Sequence, residues 1–198
     1  MTTAKVYNFA KQLAMSETDR VHELVERAVR QRLPELLNIH RAHVENDKQG
    51  IDYWLEFPNG CMEKLDVKIR AKDYATPEEP ENICLEIVAN TTTNKPGWTR
   101  DKTKLTDWVL FLWLDTGRSD LVHARQLRSV ANGNMTHWQA TKRQSAQVTE
   151  TRTGSYASTS LFVSPHDIWA AIYKLFSYDG SRPGTSTSAP NDSAGDRC

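Results

Sequence analysis

The chain has 198 residues, 38% of them hydrophobic and 25% charged, with 25 basic side chains against 25 acidic ones. That length and apolar share suit one domain with a sizeable core, and exclude a disordered or fibrous chain over most of the length. No stretch approaches the roughly 20 apolar residues of a membrane span, and Met1 to Met15 contains no signal-peptide apolar region, so a cytoplasmic protein with no membrane partner is expected.

Charge is unevenly spread along the chain. Residues 1–94 carry 12 Lys and Arg against 16 Asp and Glu, residues 95–154 carry 10 against 5, and residues 155–198 carry 3 against 4. An acidic part followed by a basic part suits a metal site beside a phosphate-binding surface, or else a solvated mixed surface. Cys61, Cys84 and Cys198 are odd in number and lack CxxC spacing, so reduced thiols are expected. The histidines show no HExxH or Cys/His zinc spacing.

In chain order, the first strong element is an amphipathic helix from Glu17 to about Leu33. Ser16 is its candidate cap, Val21, Leu24, Val25, Ala28 and Leu33 form its apolar face, and Pro34 stops it. Glu23 and Glu26 lie at the margin of that face, each with an arginine four positions on, Arg27 and Arg30.

Next comes a hairpin. Its strands hold Gly50 to Phe57 and Lys64 to Arg70, and Pro58-Asn59-Gly60 suits a three-residue loop with Gly60 in the left-handed position. Phe57 and Cys61 then close the loop, Tyr53 faces Leu65, Ile51 faces Val67, and Asp52 faces Asp66. Ile51, Tyr53, Leu55 and Phe57 share one face with Leu65, Val67 and Ile69. Asp52, Trp54, Glu56, Lys64, Asp66, Lys68 and Arg70 occupy the other. Like charges directly opposed cost ~0.2–1 kcal/mol. Either a hard divalent cation sits between the two aspartates, as Mg²⁺ does between carboxylates and waters, or they pair separately with Lys64, Lys68 or Arg70.

Beyond an acidic loop at Thr76 to Pro80, Ile83 to Ala89 reads as a strand that turns Glu86 away from Leu85 and Ile87. Lys95, Trp98, Arg100, Lys102 and Lys104 follow in a basic loop broken at Pro96-Gly97, a composition that suits contact with nucleic acid or simply loose loop charges. Trp108 to Leu114 is a continuous apolar run, expected as a buried central strand. Leu121 to Ala124 reads as a short strand and Arg125 to Val130 as a helix closed by Asn132-Gly133-Asn134. Thr149 to Ser160 suits a hairpin around Gly154. Ser164-Pro165 begins a helix whose stripe is Ile168, Trp169, Ile172, Leu175 and Phe176. From Asp179 onward the Gly/Ser/Pro/Thr-rich tail lacks core residues and is expected to be disordered. One domain over 1–178 and a tail over 179–198 result.

A helix, a hairpin bearing Asp52 and then Asp66-Val67-Lys68, a further strand, a basic loop and a buried strand together resemble the PD-(D/E)xK nuclease superfamily over residues 17–114. The chain departs from the commonest pattern in carrying Asp66 where many members have Glu, and Ile51 rather than Pro before Asp52. The resemblance implies an α/β (α+β) restriction-endonuclease-like core, a central mixed sheet flanked by helices in α-β-β-β-(α)-β order. It implies a Mg²⁺- or Mn²⁺-dependent endonuclease acting on DNA. Asp52, Asp66 and Lys68 would be catalytic, with Asp52, Asp66 and the Val67 carbonyl on the metal. Glu26 or Glu23 on the first helix, Glu26 being nearer the hairpin, or Glu86 would complete the metal shell. On the residues themselves, Arg70 could contact phosphate or pair with a nearby carboxylate, and Lys95, Trp98, Arg100, Lys102 and Lys104 could contact nucleic acid, while the sequence leaves open whether a homodimer brings two sites together to cut both strands. The alternative is a non-catalytic nucleic-acid- or partner-binding accessory protein, of phage or mobile-element type, that keeps the same fold.

Overall fold

A computed structural model describes residues 5–8, 18–78, 83–151 and 154–176. The expected cap at Ser16, Cys198 and the tail over 179–198 lie outside the described residues. The first described strand is β1 (Lys5–Asn8), followed by α1 (Asp19–Arg32). Thr18 caps α1, its hydroxyl accepting from the Val21 N–H at 3.4 Å, and Asp19 stands in the first turn. Pro34 lies just beyond the helix end, as expected of a residue that cannot continue it.

A central five-stranded sheet is ordered β2 (Asn38–Arg41), β3 (Tyr53–Glu56), β4 (Met62–Arg70), β7 (Trp108–Trp113) and β8 (Ser119–His123). Its neighbours are antiparallel except for β4 and β7, which run parallel. The chain between them, residues 71–107, leaves this sheet, forms β5 (Ile83–Asn90) and β6 (Lys95–Pro96), and returns. A second sheet is ordered β1, β9 (Gln144–Thr151), β10 (Gly154–Val163), β5 and β6. The strand expected after the hairpin therefore joins the second sheet, on the edge of β10. Strand β7 takes the place beside β4 because its run is apolar on both faces, which a parallel partner buried on both sides requires.

Alternation along β7 divides two cores. Leu110 and Leu112 meet Val21, Val25, Val29, Leu55 and Leu65 under α1. Val109, Phe111 and Trp113 meet Leu85, Leu161, Ile168 and Leu127, bringing in the second sheet, α2 (Ala124–Thr141) and α3 (Pro165–Phe176). Each such side chain fully removed from water contributes roughly 1.5–3 kcal/mol.

The helix expected to close at Asn132 instead runs to Thr141. Local propensity is overridden because Ala131 and Trp138 continue the buried stripe, and the Asn134 amide donates to the Val130 carbonyl at 2.9 Å. In α3, Ile168 and Ile172 are buried as expected, whereas Leu175 and Phe176 are about half exposed. Cys84 is a free thiol, whereas Cys61 is disulfide-bonded. That corrects the expectation of reduced thiols at Cys61, since residue spacing does not tell which thiols meet in space. No helix among the described residues is long and apolar enough to cross a membrane.

Candidate active site

The hairpin loop closes as its residues dictate. Gly60 has φ +79°, its N–H donates to the Phe57 carbonyl at 2.9 Å, and the Phe57 N–H donates to the Cys61 carbonyl at 3.0 Å. The ladder then runs from Glu56 opposite Met62 to Tyr53 opposite Leu65, as expected from the sequence. There it stops. Asp52 N–H donates to the Leu65 carbonyl at 2.9 Å, and the Asp52 Oδ2 accepts the Val67 N–H at 2.7 Å, so its carboxylate stands in for the next rung. Asp52 and Asp66 are thus not a directly opposed ladder pair, and Ile51 does not pair with Val67. The cause lies just upstream, where a 3-10 turn over Val44–Gln49 and Gly50, at φ +74°, swing the chain away from β4.

That turn lays the Gly50 backbone against the site. A Cβ at Gly50 would lie 3.6 Å from Asp66 Oδ2 and 3.1 Å from the Lys104 stem. Asp66 itself is buried, and its Oδ1 is held by Lys68 Nζ at 2.8 Å. Lys68 in turn lies 5.2 Å from the centre of the Trp98 ring. Burial pulls the Lys68 ammonium towards neutrality, but Asp66, Asp52 and Glu86 together outweigh it and hold its pKa above the ordinary lysine value.

The second sheet supplies the other wall. Glu86 projects from β5 towards Lys68, and burial raises its pKa against the opposing pull of Lys68, a hydrogen bond from the Trp98 N–H, Lys104 and Lys95. Gly97 makes this docking possible. Its N–H donates to the Ile87 carbonyl at 2.9 Å, and a Cβ there would collide with the Glu86 backbone. Thr99 is buried beside it, with its hydroxyl donating to the Glu86 carbonyl at 2.8 Å. Asp101 is held ionised chiefly by the Thr103 hydroxyl, which donates to its Oδ1 at 2.6 Å.

The expected site residues separate into three groups. Asp52, Asp66, Lys68 and Glu86 come together, with Val67 tied to Asp52 through its N–H. Trp98 is at the cleft but is not a free stacking platform, because it is buried and packs on Phe111 with ring centres 6.2 Å apart. Its place in the core corrects the expectation that Trp98 binds nucleic acid with the basic loop. Lys95, Arg100 and Lys102 are exposed beside it, Lys104 is half-buried, and Arg70 stacks on Phe162. Glu26 is the third case. It pairs with Arg30 at 2.9 Å on α1, which covers the face of the sheet opposite to Asp66, and Glu23 is exposed on the same helix. The helix glutamates are therefore not brought to the Asp66 cleft.

Arg128 was not expected here. It donates to the Lys104 carbonyl at 3.1 Å, and its charge lies in the field of Asp66, Asp101 and Asp107, while burial lowers its pKa. Its sequence signal was an arginine between Ala124 and Ala131 in the buried stripe of α2, where an apolar residue would pack more simply.

No family model, curated protein or solved structure matches the chain. The chemistry must be read from the cleft itself. Among the described residues no three His, Cys, Asp or Glu side chains converge as a metal cage. A hard ion such as Mg²⁺ needs only one or two carboxylates, with waters completing its shell.

Proposed function

We propose that this protein is a metal-dependent nuclease that hydrolyses phosphodiester bonds of DNA, built on a restriction-endonuclease-like core of the PD-(D/E)xK type. The observation that carries this reading is the meeting of Asp52, Asp66, Lys68 and Glu86 at one place, drawn from β4 and the residue just before β3 in the central sheet and from β5 in the second. The α1 helix on one face and the order β2-β3-β4-β7-β8, with only β4 and β7 parallel, support it as a mixed sheet flanked by helices.

Asp52 and Asp66 would hold Mg²⁺ or Mn²⁺, which when bound polarises a phosphate oxygen and lowers the pKa of a water. Lys68 is charged and has three N–H donors, one of them engaged by Asp66. Its raised pKa suits holding the attacking water or the extra negative charge of the transition state, and disfavours a role as general base. Glu86, whose pKa burial raises, would accept a proton from that water.

The test is cleavage of single-stranded, duplex and branched DNA in Mg²⁺ or EDTA, comparing the wild type with Asp66→Asn. Metal-dependent cleavage that the variant lacks is expected; a folded wild type that cuts none of the three substrates overturns the reading.

One observation favours a second reading, a non-catalytic DNA-binding accessory protein with the same core. Asp52 Oδ2 and Asp66 Oδ1 are both engaged by internal donors, which stabilises the cleft without an ion. DNA binding unchanged by EDTA and by Asp66→Asn, with no cleavage, is its signature.

A further inference from the structure

We propose that a nucleic-acid strand leaves the cleft along β4 and is gripped through its phosphates by Arg70 and Arg143, two guanidinium groups held on one ring, that of Phe162. The path rests on the nuclease reading for its starting point at Lys68; the two-arginine grip rests on separate observations.

Arg70 follows Lys68 by two residues on β4 and so points to the same face, about 6.6 Å further along at the usual strand rise. That is close to the step between neighbouring phosphates of an extended strand. At the far end of the step lies Phe162 on β10, with Arg70 Cζ 5.0 Å from the ring centre and Arg143 Cζ 4.0 Å from it. The two guanidinium carbons are therefore no more than 9.0 Å apart. They can share one phosphate or hold two successive ones.

What distinguishes this pair is the way its charge is held. Arg30 is tied to Glu26 at 2.9 Å, and Arg118, stacked on Trp113 at 4.0 Å, is also tied to Asp73 at 2.9 Å. Lys142, next to Arg143, is neutralised by Asp167 at 2.6 Å. Neither Arg70 nor Arg143 pairs with a carboxylate among the described residues, and the aromatic ring is what fixes them. A ring holds a guanidinium by its flat face and leaves the N–H edge unused. That edge is the part that binds phosphate in bidentate fashion. Arg143 is exposed, so a strand can reach it without rearrangement. With Lys104 beside Asp66 at the other end, cations line the same face of β4 on both sides of the scissile position.

The experiment is fluorescence anisotropy of a labelled single-stranded DNA oligonucleotide with the full chain in EDTA, so that cleavage does not intervene, repeated over a salt series. R143Q is expected to weaken binding about fivefold or more and to lower the slope of log K against log salt by about 0.7, with R70Q/R143Q weaker still. Arg20→Gln, an exposed arginine on α1 across the sheet, should leave both quantities unchanged. The proposal is overturned if the wild type does not bind, if the double variant keeps wild-type affinity and slope, if R20Q loses as much as R143Q, or if polyglutamate competes as well as DNA. Loss of binding in R143Q without any Mg²⁺-dependent cleavage by the wild type would keep the grip and remove the nuclease. Cleavage that depends on Asp66 together with unaltered R143Q binding would do the reverse.

Discussion

Leu65 and Asp66 are neighbours on β4 and nearly equally buried, at 0% and 3% exposure, yet they are buried for different reasons. Leu65 packs under α1 among Val25, Val29 and Leu110, where burial alone is favourable. Asp66 faces the opposite side, where its burial is offset by Lys68 at 2.8 Å and by the nearby charge of Arg128, with Gly50 and Lys104 closing over it. An apolar face tolerates approximate partners, whereas a buried carboxylate requires a specific one. One face of the strand therefore reads as structure and the other as chemistry.

The sharpest way to break that division is to exchange charge for shape on one face and volume on the other. Asp66→Asn keeps the size of the side chain and, on the proposed nuclease function, should reduce Mg²⁺-dependent cleavage by about 10³-fold, read as initial rates on labelled DNA. Truncation to alanine is a poorer probe. It would leave Lys68 half-buried without its partner, so a loss of stability is expected rather than the gain that opposed aspartates would have given. On the apolar face, Leu65→Ala should lower unfolding free energy by about 2–5 kcal/mol in urea titrations, while activity per folded molecule is retained. Were the two variants to fail in the same assay, the division between the faces would be wrong.

Smaller effects sharpen the second wall. Gly97→Ala pushes a methyl group into the Glu86 backbone and should destabilise by about 1–3 kcal/mol, measured by the same titration. Glu86 gives the mildest effect and a pH signature. Its folded pKa is raised above 4.5, so the stability it contributes is fully present below that value and is lost as pH rises through the folded pKa. The melting temperature of Glu86→Gln relative to the wild type should therefore rise as the pH is raised above about 4.5. A difference that shrinks over that range would mean that Lys68 and Lys104 stabilise the ionised form more than burial opposes it.

Much of the hairpin was legible because its causes are local. Pro58-Asn59-Gly60 specifies the loop, the loop specifies the register from Glu56–Met62 to Tyr53–Leu65, and alternation then puts Asp66 and Lys68 on one face. The reading failed one rung later, where Gly50 and the preceding 3-10 turn redirect the chain and Asp52 exchanges ladder pairing for a side-chain bond to Val67. It failed again at Asn132-Gly133-Asn134, a sound stop signal in isolation that is outweighed by burying Trp138.

By itself, then, the sequence determined α1, the hairpin, the two-sided burial of β7 and the acidic-basic composition of one face of β4, because periods of two and 3.6 residues and turn chemistry act within a few residues. Only the tertiary structure decided that β5 pairs with β10, that Glu86 and Trp98 close over Lys68, that Glu26 stays across the sheet, and that Arg143 meets Arg70 on Phe162. Those meetings join residues tens of positions apart. Their partners are chosen by which buried faces fit together, and no local pattern in the chain records that choice.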